Sequence, residues 1–593
     1  MHGAFWVLLL SGILGFRVGM LGFPDWQVAV ETAQVVARLV PYPPDNTFYI
    51  YHTRLWTALH QILALALRAG ASEITLSLVV SGVQGMLTFQ ALALFVYALS
   101  RDVLLAIGAA ALIFFTRSAE YGTVYPLFLL GTEHTYGVVG LSTGMLAVAV
   151  LGSGWYRAGA LLLGIGPCIH PSLGSWTVLI VVLGVLSDFR KLRVELRPAL
   201  PWFLAGCGIT LVSLIVQVSL APGIPAGMVR LSPDDLSTFV RLWDGHRAAV
   251  NIWHNGVLLN VASLVVSSAW LAFFSTDEKT DGSRLLLRIT AAGSLLALAM
   301  IPVSWIPPDR LPAALLVLMP GRYLNFAALT FVALLLGLLG SRRQLWSNVV
   351  LLFLTCGLLV GDHSMLWESL EHHHGLRYQS HVQPLLIVWM ATAALLAGAA
   401  VKKREQMAKS EEPSHQLHPP HLLHPLHPSH LLQLFLLVLV VLMTMHQHGE
   451  LSGAHFNDRT NDVFFADIAR GSGVLLVAGD LHLVQLRTRR AVLLDTGALD
   501  TVMYSLETGA AMQRILRDIY GLDLLHPPPD AVGAGRIPAL SHRSTWEQYS
   551  PAQWRAIRRD FGVTQVLAYA DWTLQLPVVS QSRRLLLYDI PGP

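Results

Sequence analysis

The chain has 593 residues, of which 54% are hydrophobic and only 13% charged, with a net charge of +3 at neutral pH. Soluble domains carry about 25% charged residues, so this composition excludes an ordinary soluble protein. The small net charge leaves no electrostatic footprint for nucleic acid.

Apolar runs near 20 residues recur along the chain and point to a polytopic α-helical membrane protein. Residues 4–22 read as a retained first span, because no small-residue cleavage site of a secretory signal follows them. The next five residues, Phe23-Pro24-Asp25-Trp26-Gln27, place a carboxylate where water meets the outer membrane edge. Insertion does not need it. Asp25 is a candidate general base for a reaction on a lipid-borne substrate, and it equally suits the N-cap of a helix over 26–39. Residues 28–39 predict an amphipathic surface helix, with Val28, Val35, Val36 and Leu39 on one face and Glu31, Gln34 and Arg38 on the other. Residues 55–68 are apolar but too short to cross, and read as a second surface helix.

Further spans are expected at 74–99, 103–117, 136–153, 157–168, 173–187, 199–219, 252–275, 285–305, 322–340, 345–361, 384–400 and 431–446. With the first, this makes about thirteen. Four basic clusters punctuate the later ones: Arg190-Lys191 with Arg193 and Arg197; Lys279 with Arg284 and Arg288; Arg342-Arg343; and Lys402-Lys403-Arg404 with Lys409. Two spans separate each successive pair, so the positive-inside rule makes all four cytoplasmic. Arg101 and Arg157 then lie inside, while Glu120, Glu133, His134 and His170 lie outside. The alternative topology makes 55–69 a span and carries Glu120 and Glu133 inside.

In the largest outer loop, Ser232-Pro233-Asp234-Asp235 reads as a helix start. Cys168, Cys207 and Cys356 form neither a disulfide framework nor a zinc spacing. His415, His418, His421, His424, His427 and His430 recur every third residue, which lines them along one edge of a polyproline II helix. That edge is either a weak transition-metal site or a low-complexity linker. His372-His373-His374 reads as a solvated loop. Beyond about Gly449, short β-rich runs at 473–478, 491–494 and 563–568 alternate with helical stretches at 503–519 and 551–560. The chain thus divides into a transmembrane domain (1–446, with a first outer loop at 23–73 and a cytoplasmic His/Pro-rich linker at 402–430) and a small extracytoplasmic α/β domain (447–593). The latter shows no phosphate loop and no nucleophile elbow, and no chemistry of its own is expected from it.

The order of elements carries a resemblance. A first span and an outer acidic residue precede a surface helix, the turn Tyr42-Pro43-Pro44-Asp45-Asn46 and a second surface helix. Then come Ser72-Glu73, a span ending in Tyr97-Ala98-Leu99-Ser100-Arg101, and a short span into Thr116-Arg117-Ser118-Ala119-Glu120-Tyr121. This resembles the GT-C superfamily of integral-membrane glycosyltransferases, near the protein O-mannosyltransferases and the lipid A aminoarabinose transferases. The terminal α/β domain also resembles the layout of oligosaccharyltransferase catalytic subunits. Two departures stand out: Asp25 is followed by Trp26 rather than a second acid, and no His precedes the Pro-Pro turn.

The resemblance implies a sugar transferred from a polyprenyl-phosphate-linked donor to a glycan, lipid or protein acceptor outside the membrane, which is expected to be the bacterial inner membrane. Asp25 is then the base. Arg322 with Tyr323, and Arg54, are candidates to hold the phosphate, although an arginine at a span end also snorkels. Glu120, Glu133 and His134 are candidates to position the acceptor or to share a divalent metal with Asp25. His170, breaking the hydrophobic hairpin at 166–174, is either functional or bonded to a freed backbone group. The other classes weighed are a polysaccharide polymerase or ligase, a non-catalytic scaffold of the same layout, and a transporter.

Overall fold

The computed structural model describes residues 2–22, 26–120, 135–223, 225, 228–244, 247, 249–253, 257–274, 280–319, 323–342, 344–371, 382–410, 462–495, 497–529 and 537–592. Asp25, Glu133, His134, Arg322, both histidine tracts and the expected span 431–446 lie outside them, as do the side chains of Glu120 and Tyr323.

Each expected span up to residue 400 has its helix. In chain order these are α1 (His2–Gly22), the surface helices α2 (Val28–Val36), α3 (Thr47–Arg54) and α4 (Ala58–Arg68), then α5 (Glu73–Ser100), α6 (Val103–Phe115), α7 (Thr135–Gly152), α8 (Tyr156–Ile169), α9 (Pro171–Leu186), α10 (Phe189–Leu196) and α11 (Leu200–Leu220). After the loop helix α12 (Pro233–Trp243) follow α13 (Val257–Phe274), α14 (Asp281–Val303), the short α15 (Ala313–Leu318), α16 (Tyr323–Ser341), α17 (Leu345–Glu371) and α18 (Val382–Ser410). Among the described residues, six helices are long and apolar enough to cross a membrane, and this is an integral membrane protein.

Local chemistry sets the boundaries. Asn46, Thr57, Ser72, Asp102 and Ser232 each accept a hydrogen bond from the backbone of the first turn of the helix they open. Ser232 is followed by Pro233 at the first helical position, as its sequence predicts. The N-cap of α2 is Gln27, with an extended backbone and no side-chain cap bond. The N-cap role expected of Asp25 therefore falls away, since the helix starts beyond it.

The bundle is built around α5. Gly15 of α1 lies against Gly85 of α5, and a Cβ on either would collide with the other's carbonyl. Such small-residue contacts let helices approach closely where lipid supplies no hydrophobic drive. On its other sides α5 packs against α6, α7 and α16.

The C-terminal region folds as a four-stranded sheet in the order β1-β2-β4-β3, with β1 (Val474–Val477), β2 (Val563–Tyr569), β3 (Val578–Gln581) and β4 (Leu585–Asp589). The β1/β2 pair is parallel and the others are antiparallel. The expected run at 491–494 contributes only an isolated bridge, Val492 to Leu475. The helix expected at 503–519 is broken into Thr501–Tyr504, Gly509–Ile515 and Leu516–Tyr520. The sheet layer does not hang free. Its core is continuous with Val40 and Phe48 of the first loop and with Phe239, Val240 and Trp243 of α12. Trp243 Nε1 also donates to Leu524 O at 2.6 Å.

That docking also decides the course of the first loop. Arg54, before α4, reaches Glu507 of the C-terminal unit at 3.5 Å, and Glu73, after α4, accepts from Arg489 of the same unit at 2.5 Å. Both flanks of α4, itself only 11 residues long, thus contact the C-terminal unit. At the far end of the 28-residue α5, about 42 Å away, Arg101 bonds Thr280 at 2.9 Å beside Arg284. Two of the basic residues expected to share a side, Arg101 and Arg284, thus share an end.

One expectation is overturned here. Two of the three residues on the polar face of α2 do not meet water: Glu31 and Gln34 are 1% and 0% exposed, because the C-terminal unit covers them, and only Arg38, just past the helix end, is exposed.

Two outcomes follow from this packing. Gly85→Leu should drive α1 from α5, with a penalty above the ~1–3 kcal/mol of ordinary overpacking, seen as a lowered melting temperature in detergent. Val79→Leu, on an exposed part of the same helix, should leave it unchanged. Trp243→Ala should weaken the shared core by about 3–5 kcal/mol, read as protease release of the C-terminal unit at concentrations that spare the wild type.

Candidate functional site

The site is assembled from the start of α2 upward. Gln27 anchors it: its Nε2 donates to Ser81 Oγ at 2.9 Å, and its Oε1 accepts from Gln84 Nε2 at 3.2 Å, both on α5. Trp26, one residue earlier and next to Asp25, lies under the Arg487 guanidinium at 5.6 Å. Arg487 also sits 3.6 Å from the ring centroid of Phe465. The C-terminal unit therefore grips the residue adjoining Asp25 by cation–π contact.

The segment that does this is the short helix Val484–Thr488, bracketed by Leu483 (φ 58°) and Arg489 (φ 53°), both left-handed. Bulky residues rarely adopt that backbone, and such strain gathers at functional sites. From this helix Gln485 Nε2 donates to Glu31 O at 3.0 Å, and Leu486 O accepts from Gln34 Nε2 at 2.9 Å. Tyr42 OH donates to Gln485 Oε1 at 2.6 Å and accepts from Val492 N at 3.3 Å. Burial, reinforced by the Glu31 and Asp495 carboxylates, pushes the Tyr42 phenol well above its ordinary value.

Glu31, His482 and Asp495 meet in this seam, and each offers a ligand atom within 4.8 Å of the others. Glu31 and Asp495 are 1% and 2% exposed. The second Asp495 oxygen accepts from Gly497 N at 2.9 Å, and Oδ2 lies 3.9 Å from His482 Nε2. Two buried carboxylates and a half-buried imidazole fit a divalent transition metal. Close carboxylates in a low dielectric repel one another unless a cation or a proton stands between them. Beneath them α2 is tied to α3 by Thr32 Oγ1 and His52 Nδ1 at 2.9 Å, and burial, with His60 nearby, lowers the His52 imidazole to about 3 and keeps it neutral.

A second polar group lies along the same seam. Arg54 and Arg230 converge on Glu507, Arg230 donating through NH2 at 2.6 Å. Burial would raise the Glu507 carboxyl, but the Arg230 hydrogen bond, a backbone bond and the charges of Arg230 and Arg54 bring it below the usual range. Arg247 is buried. It pairs with Asp244 at 2.5 Å, donates through Nε to Leu316 O at 2.7 Å and lies over Tyr504 at 5.4 Å. Ser172 Oγ and Trp176 Nε1 of α9 both donate to Leu318 O, at 2.7 and 2.8 Å. The stretch leading to Arg322 is thus held from two sides.

Of the candidates drawn from sequence, the described side chains are Arg54 and His170. Arg54 joins the seam. His170 ends α8 and caps α9, its Nδ1 accepting from Leu173 N at 3.2 Å. Glu31, Tyr42, His482, Asp495, Arg230, Asp244 and Arg247 escaped sequence reasoning as site residues. The C-terminal unit, expected to carry no chemistry, supplies two of the three potential metal ligands.

No family model and no curated protein matches the chain. Among solved structures it is similar to ArnT from Cupriavidus metallidurans in the apo state, at 14% identity and a TM-score of 0.43, over 98% of this chain and 97% of that one.

Proposed function

We propose that the protein is a membrane glycosyltransferase that moves a sugar from a polyprenyl-phosphate-linked donor to an acceptor on the side of the C-terminal unit. One observation carries this reading: a seam of titratable groups (Glu31, Tyr42, His482 and Asp495), its two carboxylates buried, is built between membrane-edge helices and a water-facing α/β unit, and it adjoins Trp26, the residue after Asp25. A lipid-linked substrate has its reactive centre at that level, with its tail in the bilayer and its sugar in water.

In this reading the bond from the anomeric carbon to the phosphate oxygen breaks and a bond from that carbon to the acceptor oxygen forms. The phosphate leaves with the bonding electrons and stays on the lipid. The acceptor hydroxyl proton passes to the Asp25 carboxylate, a step of general base catalysis. Arg322, with Tyr323 beside it, and Arg54 offer cationic and hydroxyl groups to the phosphate. Glu120, Glu133 and His134 are left to position the acceptor, while His170 is engaged in capping α9. A divalent ion held by Glu31, His482 and Asp495 would supply positive charge against the departing phosphate.

Two measurements test this. Asp25→Asn should reduce sugar transfer from a polyprenyl-phosphate donor by about 10²-fold or more while the melting temperature holds; near-normal turnover removes Asp25 as the base. Elemental analysis of protein purified with zinc in the buffer should find roughly one equivalent bound, as expected of a single three-ligand site. Asp495→Asn and His482→Ala should retain much less, and equal metal content in all three would place the ion elsewhere.

A further inference from the structure

We infer that Arg54 and Arg230 form a binding site for the phosphate group of a membrane lipid, and that Glu507 is the latch that closes it. The inference rests on the reading above only in taking the substrate to be lipid-borne.

The position of the site comes first. Arg54 ends α3, and the residues around it are pegged to α11. Gln217 Nε2 donates to Thr53 O at 2.5 Å, Trp56 Nε1 donates to Ser213 Oγ at 3.2 Å, and Gln61 Nε2 donates to Ser213 O at 2.8 Å. Little of α11 is buried in the protein: Leu211, Val212, Ile215 and Val218 are all more than half exposed. An apolar helix of 21 residues with such a face is covered by lipid chains. Arg54 therefore stands at headgroup level, beside a helix along which a lipid tail can lie. Arg230 approaches from the loop that follows α11.

The chemistry comes second. The two guanidinium groups come from separate elements and meet a single carboxylate, which the third element, the C-terminal unit, brings to them. Arg230 gives both Nε (3.2 Å) and NH2 (2.6 Å) to one Glu507 oxygen, while Arg54 stands 3.5 Å from the other. A phosphate monoester presents the same acceptor pattern with one more oxygen and more charge. The carboxylate thus occupies the place of an anion. Glu507 is largely covered, at 15% exposure, but Arg230 is 67% exposed and meets it from the solvent side, so a competing phosphate can reach this guanidinium and displace the carboxylate from it. Displacement releases the Glu507 side chain, whereas buried Thr508 and the Trp243 core keep the C-terminal unit attached. The latch therefore moves a side chain only.

Full-length protein in phosphatidylcholine nanodiscs doped with phosphatidic acid, followed by native mass spectrometry, tests the inference. Glu507→Gln removes the competing charge and should raise phosphatidic acid retention about fivefold. Arg230→Gln, at an exposed position, should lower it by a similar factor, and Arg230→Lys should fall between. Unchanged or reduced retention in Glu507→Gln, or unchanged retention in Arg230→Gln, overturns the latch. Inorganic phosphate that displaces the lipid at equal concentration overturns the lipid-borne assignment. No sugar is involved, so a protein that binds phosphatidic acid as described yet transfers nothing would remove the transferase reading and leave the latch standing.

Discussion

A single hydrophobic core, shared by parts of the chain that are far apart in sequence, holds this architecture together. Val40 and Phe48 from the first loop, Phe239, Val240 and Trp243 from α12, and the sheet layer of the C-terminal unit pack into one apolar body. Everything polar along the seam depends on it. Without that body, α2 would show Glu31 to water, and Arg54 and Arg230 would have no common partner. The apolar contacts supply the free energy, and the polar groups use the geometry those contacts impose.

The seam places carboxylates out of water, where each buried charge costs several kcal/mol unless it is compensated. Carboxylates buried within ångströms of each other store unfavourable electrostatic energy unless a cation, a proton or a substrate relieves it. The neutral His52–Thr32 tie below and the strained backbone around Val484–Thr488 above suit a scaffold that holds such a group rigidly. The solvent-facing element of the seam is the Arg230 side of its contact with Glu507, so the buried and the accessible parts of the region are spatially separate.

Much of the fold is legible in the sequence because membranes impose coarse, additive rules. Span length, the positive-inside bias and helix-start signals such as Ser232-Pro233 each act locally, and each expected span to residue 400 has its helix. The site was far less legible. Glu31 reads as the wet face of an amphipathic helix, and only a domain more than 400 residues later makes it a buried one. His482 and Asp495 lie in a stretch with no motif. Residues that meet across such separations have no shared period or spacing to read. The broken helix at 501–520 failed for another reason: its apolar period continues through two turns where tertiary contacts interrupt it.

The same long separations set a timetable. Gln485 and Glu31, bonded in the finished protein, are 454 positions apart. At ribosomal speeds of about 5–20 residues per second, the first loop waits roughly 20 to 90 seconds before its lid is synthesised. During that interval α2 presents Glu31 and Gln34 to solvent, just as its sequence pattern alone would suggest. The nascent chain therefore passes through a stage with an open cleft and an unburied acid, and the lid must arrive before the junction can hold charge out of water.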